Sequence, residues 1–233
     1  MLAGLLTILF LFPRLSPQRR QIWVQAWSLR MLGRLGIRLV VQGTPAPHGP
    51  LLLVANHISW LDITALHAAR FCRFVSKADV RGWPLIGALA AGIGTLFIQR
   101  ESRRDAMRVV HHMAQSLRDG DVLAVFPEGT TSDGVHLLPF HGNLLQAAIL
   151  ADAPVQPVAL QFVDTDTGQR RLESCYVGDD TLLDSVWRTL CVSGITVQII
   201  FGEPQLSRGR DRRSWANELQ SDIEKMRRVP EPG

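Results

Sequence analysis

The stretch LLLVANHISWLD, residues 51–62, joins a run of aliphatic side chains to a histidine and an aspartate. An apolar run of this length, closed by polar residues, is typical of a strand buried on both faces of a parallel sheet. In such sheets, ligand sites gather beyond the carboxyl ends of the strands. His57 follows the strand almost directly, so it is a candidate for chemistry.

Short β-branched or aliphatic runs alternate with helical patterns along the rest of the chain. The predicted strands cover residues 51–55, 73–76, 95–99, 122–126, 155–162, 171–177 and 196–201. The predicted helices cover residues 60–69, 84–91, 103–118, 142–151, 180–192 and 212–228. Strands separated by helices predict an α/β fold, with a mostly parallel central sheet flanked by helices. A turn-rich linker, GTPAPHGP, predicts a boundary between an N-terminal helical segment, residues 1–42, and an α/β domain, residues 43–233.

The composition excludes several classes of protein. With 46% hydrophobic and 20% charged residues among 233, the chain is not a disordered polyelectrolyte. Its three cysteines form no CxxC pair, which argues against a disulfide framework and a cysteine-rich zinc site. The net charge is only +4, but no acidic residue precedes Asp62. Arginines fill that acid-free stretch: Arg14, Arg19, Arg20, Arg30, Arg34 and Arg38.

Basic side chains on an apolar background favour an anionic membrane surface over nucleic acid as a partner. Residues 1–12 are apolar throughout, but a helix needs roughly 20 residues to cross a bilayer. From Gln18 to Val41, apolar residues recur near helical spacing, which predicts an interfacial helix after a short anchor. An ordinary helix packed on the domain fits the same periodicity. Because the arginines follow the apolar run, we expect association with the cytoplasmic face of the inner membrane.

His57 and Asp62 form the first candidate pair. On one continuous helix their side chains would point about 140° apart, so they meet only if His57 lies in a turn. Ser59 then caps a helix that carries Asp62 in its first turns. A carboxylate bonded to Nδ1–H fixes the tautomer and leaves Nε2 free to accept a proton. The alternative is a histidine that is hydrogen-bonded for structural reasons only.

Two further stretches have the composition of binding elements. In FPEGTTSDG, residues 126–134, Pro127 and Gly129 predict a turn that directs Glu128 and backbone amides toward a crevice, although a plain β-turn fits as well. In residues 77–100, Lys77 and Arg100 flank an apolar, glycine-rich segment. That pattern favours an anionic head group or a cofactor phosphate beside an apolar slot for a chain, or else a core helix with solvated charges at its ends.

Other common sites are excluded by spacing. The glycines before residue 97 do not complete GxGxxG, because Phe97 occupies the last position. No GxSxG elbow or Walker loop is present, and His111 and His112 are adjacent, which does not fit HExxH.

Taken in order, these blocks resemble the glycerolipid acyltransferases, whose type member is 1-acyl-glycerol-3-phosphate acyltransferase. The NHxxxxD signature is matched by Asn56, His57 and Asp62. The second block is matched by Lys77, Asp79, Pro84, Gly87 and Arg100, the third, FPEGT, by residues 126–130, and the short proline block by Pro154, Val155, Pro157 and Val158. The similarity covers about residues 50–162.

The resemblance implies a membrane-associated O-acyltransferase that moves a fatty acyl group from acyl-CoA or acyl carrier protein to a lysolipid hydroxyl. His57, oriented by Asp62, is then the general base, and backbone amides around His57 or Gly129 stabilise the oxyanion. No metal and no bound cofactor are expected. The residues implied in substrate binding are Lys77, Arg100, Glu128, Gly129, Thr130 and Thr131.

Thr131 departs from the family pattern, in which FPEGT is followed by an arginine associated with the acceptor phosphate. Conversion of 1-acyl-glycerol-3-phosphate to phosphatidic acid, in phospholipid biosynthesis, is the first expectation. A different acceptor such as a lyso-ornithine lipid is the alternative within the enzyme class. A lipid ester or thioester hydrolase and a catalytically silent lipid-binding protein are the competing hypotheses.

Overall fold

A computed structural model describes residues 2–98, 103–178 and 180–227. Within them, one sheet is formed by β1 (Ile37–Gln42), β2 (Leu51–Ala55), β3 (Arg73–Lys77), β4 (Leu96–Ile98), β5 (Val122–Val125), β6 (Val155–Asp164) and β7 (Ile195–Phe201). The strand order is β1-β7-β6-β2-β5-β3-β4. Neighbours are parallel except β6 and β7, which are antiparallel. The predicted α/β fold with a mostly parallel sheet is therefore confirmed.

Helices cover both faces of the sheet. They are α1 (Leu2–Leu6), α2 (Pro17–Arg34), α3 (Leu61–Ala69), α4 (Ile86–Gly92), α5 (Arg103–Arg118), α6 (Leu145–Ala151), α7 (Leu182–Leu190) and α8 (Arg212–Met226). Met113 of α5 and Trp215 of α8 are fully buried in the core on one face. Leu32 of α2 and Leu61 of α3 are fully buried in the core on the other. The apolar spacing of these four helices thus decides which of their sides meets the sheet.

The N-terminal segment packs against α4. After α1 it continues through a π-helical turn, Thr7–Leu11, and a 3₁₀ turn, Phe12–Arg14. Gly92 allows the close approach, because a Cβ there would lie 2.3 Å from Cγ2 of Ile8. No helix in the described ranges combines the length and the hydropathy that crossing a membrane requires.

The predicted helix from Gln18 to Val41 is too long. Helix α2 ends at Arg34, and Gly36 follows with a φ of +70°, a conformation that glycine adopts at low cost. Residues 37–42 then form β1, which pairs in parallel with β7 from Ile37 opposite Ile195. The boundary predicted between residues 42 and 43 therefore falls after the first strand of the sheet.

The predicted strand at residues 171–177 is wrong. Antiparallel pairing of β6 with β7 leaves this segment outside the sheet, attached to β6 through a single bridge between Val163 and Arg170. The segment consists of turns and irregular backbone. Gln99, in the predicted strand at residues 95–99, and Arg100, in the predicted binding site, lie outside the described residues.

Strand direction places the candidate residues together. Because β2, β3 and β5 are parallel, they end at the same side of the sheet, at Ala55, Lys77 and Val125. We call this side the carboxyl edge. Strand β6 also ends there, and β7 begins there.

His67 of α3 makes stability depend on pH. It is 3% exposed, neither ring nitrogen has a hydrogen-bond partner among the described residues, and burial lowers its pKa from 6.5 to about 4. As pH falls below 6.5, His67 becomes protonated in the unfolded chain but stays neutral in the folded chain. The free energy of unfolding therefore decreases.

We expect His67→Leu to remove most of this pH dependence. Between pH 7 and pH 5, the free energy of unfolding of the unsubstituted chain should fall by about 2 kcal/mol from His67 alone. Denaturant unfolding at the two pH values measures the difference. The exposed His111 provides the control, since His111→Leu should leave the pH dependence unchanged. Equal pH dependence in His67→Leu and the unsubstituted chain would contradict the assignment.

Candidate active site

Asn56 directs the chain out of the sheet at the end of β2. Its side-chain Nδ2 donates to the carbonyl of Leu160 at 3.0 Å, and its Oδ1 accepts from the N–H of Leu160 at 2.7 Å. The fully buried amide thus exchanges two hydrogen bonds with the backbone of β6. The next residue, His57, leaves the strand at a fixed position.

Asp62 organises the turn between β2 and α3. Its Oδ2 lies 2.8 Å from Nδ1 of His57 and accepts from the N–H groups of Ile58 at 2.6 Å and Ser59 at 2.9 Å. The predicted contact between His57 and Asp62 through a turn is confirmed. Ser59 also acts at this helix start, where its Oγ accepts from the N–H of Leu61 at 3.3 Å. With the carboxylate as acceptor, the proton of the neutral ring lies on Nδ1.

The ring of His57 is held flat against Phe126. Their centroids are 3.9 Å apart and their planes differ by 7°. Phe126 in turn stacks on Phe74 at 5.6 Å. The side chain of His57 remains 18% exposed, and Nε2 makes no hydrogen bond to a described residue. The arrangement therefore presents Nε2 as an accessible base.

Glu128 joins the turn after β5 to the backbone of His57. The turn closes through the N–H of Gly129 on the carbonyl of Phe126 at 3.1 Å, with φ of Gly129 at +75°. Oε1 of Glu128 accepts from the N–H of His57 at 2.7 Å, and Oε2 accepts from the N–H of Leu138 at 2.9 Å. Burial raises the pKa of Glu128 above its usual value, and these two donors oppose that rise.

Residues 131 and 132 add further hydrogen bonds between the turn after β5 and neighbouring segments. Ser132 donates to the carbonyl of His57 from its N–H at 2.8 Å and from its Oγ at 3.0 Å. The hydroxyl of Thr131 donates to the carbonyl of Tyr176, whose own N–H donates to the carbonyl of Ile58 at 3.0 Å. The segment 171–177 therefore lies against both motifs. Sequence reasoning missed Phe126, Ser132 and Tyr176 because their partners are distant in the chain.

The other predicted binding residues differ in their placement. Gly129 lies at the turn after β5, and Thr130 is exposed beside it. Lys77 is exposed at the end of β3, which is separated from β2 by β5. Arg100 is outside the described residues. The structure thus brings the first and third motifs into direct contact, with Lys77 at the same edge of the sheet.

Several amides that were predicted to stabilise an oxyanion are already engaged. The N–H groups of His57, Ile58 and Ser59 bind carboxylates, and that of Gly129 closes its turn. In contrast, the N–H groups of Thr130 and Thr131 make no hydrogen bond within the described ranges. These two amides, next to Ser132, are the better candidates for donors to a substrate oxygen.

Cys175 is close to the site but is not suited to nucleophilic attack. Burial, followed by the charge of Asp62, raises the pKa of its thiol to about 12. Its Sγ donates to the carbonyl of Asp133 at 3.4 Å. A thiol that stays protonated does not form an acyl-enzyme readily, so the chemistry of this site rests on the histidine.

Known proteins share this combination of motifs. A model of the Acyltransferase family matches residues 38–161, the range that contains all the motif residues described above. The chain belongs to the Acyltransferase family. One relative of this acyltransferase is the lyso-ornithine lipid O-acyltransferase of Pseudomonas aeruginosa, 40% identical over 204 residues, which are 88% of this chain and 78% of that protein.

Relatives named for a different activity are nearly as similar. The 1-acyl-sn-glycerol-3-phosphate acyltransferase of Neisseria gonorrhoeae is 38% identical over 187 residues, covering 79% of this acyltransferase and 72% of that protein. The crystal structure of the 1-acyl-sn-glycerophosphate acyltransferase of Thermotoga maritima has a TM-score of 0.66 at 21% identity, covering 92% of this chain and 83% of that one. That structure shows a shared fold.

Glu128→Gln tests whether this carboxylate positions His57 or binds the acceptor. A glutamine accepts one backbone N–H but not both, and an unsatisfied buried donor costs about 1–3 kcal/mol. If Glu128 positions His57, kcat should fall and the KM for the acceptor should stay unchanged in steady-state assays. The exposed Glu203 gives the control, as Glu203→Gln should change neither. A raised KM at unchanged kcat would instead assign Glu128 to acceptor binding.

Proposed function

We propose that this acyltransferase transfers a fatty acyl group from acyl-CoA or acyl carrier protein to the free hydroxyl of a lysolipid. The observation that carries the proposal is the geometry of His57. Its Nδ1 is bonded to a buried carboxylate, its ring is stacked, and its Nε2 is accessible. These are the features of a general base that is aimed at an incoming hydroxyl.

In the proposed reaction, Nε2 of His57 removes the proton from the acceptor hydroxyl as its oxygen attacks the thioester carbonyl. The negative charge of Asp62 stabilises the imidazolium that forms. The N–H groups of Thr130 and Thr131 donate to the oxyanion of the tetrahedral intermediate. Collapse of the intermediate breaks the carbon–sulfur bond, and the thiolate takes the proton from Nε2. The products are an ester and a free thiol.

Asp62→Asn should abolish most of the turnover while keeping the fold. An asparagine oxygen in place of Oδ2 still accepts the three hydrogen bonds, but the charge that stabilises the imidazolium is lost. We expect turnover to fall roughly 10²–10⁴-fold, measured as ester formed from labelled acyl-CoA and lysolipid. The exposed Asp119 supplies the control variant, Asp119→Asn.

Near-normal turnover in Asp62→Asn would refute the role of the pair. The same assay separates transfer from hydrolysis. Labelled free fatty acid that appears at the same rate without lysolipid would identify a hydrolase that activates water with the same histidine.

Thr131 bears on the choice of acceptor. A hydroxyl lacks the bidentate donors and the charge with which a guanidinium binds phosphate. Its one proton is moreover donated to the carbonyl of Tyr176. This contact favours an acceptor without a phosphate, and a lyso-ornithine lipid, whose head group carries an ammonium and a carboxylate, fits that requirement. Lysophosphatidate remains the second candidate, supported by the exposed Lys77 at the carboxyl edge and by the relatives in Neisseria.

A panel of lysolipid acceptors, assayed with the unsubstituted chain and with Thr131→Arg, tests this preference. We expect lyso-ornithine lipid to be the better acceptor for the unsubstituted chain. Thr131→Arg should lower the KM for lysophosphatidate about tenfold, since a hydrogen bond to a charged group contributes about 1.5–3 kcal/mol. Thr131→Val is the control, because it removes the contact with Tyr176 without adding charge. If the unsubstituted chain prefers lysophosphatidate, the proposed order is wrong and lysophosphatidate becomes the first candidate for the acceptor.

We further propose that the acyltransferase works at the cytoplasmic face of the inner membrane, where its acceptor and product are located. The N-terminal segment supports this placement. Exposed apolar side chains occur along α1, α2 and the turn between them: Leu6, Leu9, Phe10, Ile22, Trp23 and Leu29. The same stretch contains several arginines and no acidic residue, which is suited to an anionic lipid surface.

A further inference from the structure

Helix α7 has its polar and apolar sides reversed. Leu183, Trp187 and Leu190 are 79%, 70% and 52% exposed and lie on one side of the helix. Ser185 and Thr189, on the opposite side, are 0% and 1% exposed. A helix on a soluble domain ordinarily turns its apolar stripe toward the core, so this orientation needs a partner for the exposed side.

The buried polar side is attached to the site by specific hydrogen bonds. Oγ of Ser185 accepts from Nε1 of Trp60 at 3.2 Å, and Trp60 precedes α3, the helix that carries Asp62. Arg188 donates from Nε to the carbonyl of Glu173 at 2.9 Å and from Nη2 to the carbonyl of Cys175 at 2.6 Å. These contacts fix which side of α7 faces outward.

Helix α7 is also next to the entrance that a lipid acceptor needs. It belongs to the connection between the end of β6 and the start of β7, and both lie at the carboxyl edge. The segment 171–177 beneath it contacts Ile58 and Thr131 through the backbone of Tyr176. Two side chains of that segment, Leu172 and Val177, are 44% and 38% exposed. Exposed apolar side chains therefore occur both on α7 and on the segment between it and the site.

We propose that the outward side of α7, formed by Leu183, Trp187 and Leu190, docks on the lipid bilayer and holds the carboxyl edge at its surface. The proposal rests on the proposed function, because an acceptor that resides in the bilayer must reach His57 from that phase. It adds a second membrane contact, distinct from the N-terminal segment.

The charges around α7 fit a lipid surface. Arg188 forms an ion pair with Asp180 at 2.8 Å. The carboxylate of Asp184 accepts from the hydroxyl of Thr181, and the N–H of Asp184 donates to that same hydroxyl. The outward side thus presents aliphatic groups and an indole, and the carboxylate of Asp184 beside it is hydrogen-bonded to Thr181 rather than to a cation. Tryptophan with leucine at this spacing is typical of helices that lie in the interface of a bilayer.

Vesicle co-sedimentation of the full chain tests the proposal with Leu183→Ser/Trp187→Ser. Against vesicles of phosphatidylcholine, we expect binding to weaken roughly 100-fold, since the variant removes two large apolar side chains from the buried contact. The loss should persist at high salt and with phosphatidylglycerol in the vesicles, because this contact is uncharged. Trp187→Phe, which keeps an apolar ring, should bind nearly as well as the unsubstituted chain.

The matched control is Leu150→Ser/Leu206→Ser. These two leucines are also exposed, at 39% and 42%. They lie near the start of β6, at the edge of the sheet opposite to the carboxyl edge. Circular dichroism and thermal unfolding should be alike for the two double variants. The α7 variant should lose transfer to acceptor in vesicles yet retain it with acceptor in detergent micelles, whereas the control should retain both.

Equal vesicle binding by the α7 variant and the control would overturn the proposal. So would a dimer of the unsubstituted chain that the α7 variant converts to a monomer without loss of vesicle binding, because the surface would then bind a second copy. Failure of the proposed function is distinguishable. It would appear as absence of transfer by the unsubstituted chain in micelles, while the vesicle measurement would still decide the role of α7.

Discussion

The carboxylate of Asp62 is the interaction on which the site depends. A buried carboxylate is costly unless donors surround it, and one oxygen of Asp62 accepts from the ring of His57 and from two backbone N–H groups. The same oxygen therefore folds the turn, starts α3 and orients the base. Local structure and ring orientation are consequently coupled here, since the oxygen that accepts from the turn's N–H groups is also the one that binds Nδ1 of His57.

The third motif holds the same residue from the other side. Glu128 binds the N–H of His57, and Ser132 binds its carbonyl twice. Both backbone polar groups of His57 are thereby satisfied by a segment more than 70 positions later, as the separations of 71 and 75 residues show. Parallel strands bring the two motifs to one edge, and the hydrogen bonds then set their register. The stretch FPEGTTSDG is thus a direct support for the histidine.

Sequence reasoning was most successful where the pattern is local. The pairing of His57 with Asp62 followed from a turn and a helix start, and six strands followed from apolar runs. Strand β1 was missed because IRLVV continues the apolar spacing of α2, and only pairing with β7 decides its conformation. The segment 171–177 has a strand-like composition, but β6 and β7, the strands that it connects, are each already paired on both sides. The hydrogen bond from Leu138 to Glu128 could not be predicted from the sequence, because it depends on the path of the chain after the turn.

The antiparallel step between β6 and β7 has a consequence for diversity in this architecture. In a sheet of parallel neighbours, each connection must cross from one side to the other, so its length and path are constrained. Here β6 ends and β7 begins at the carboxyl edge. Residues 165–194, which connect them, therefore do not have to cross the sheet. Changes of length within this loop therefore leave the strands in place as long as Tyr176 keeps its contacts with Ile58 and Thr131. This connection is consequently freer to vary than the crossovers between the parallel strands.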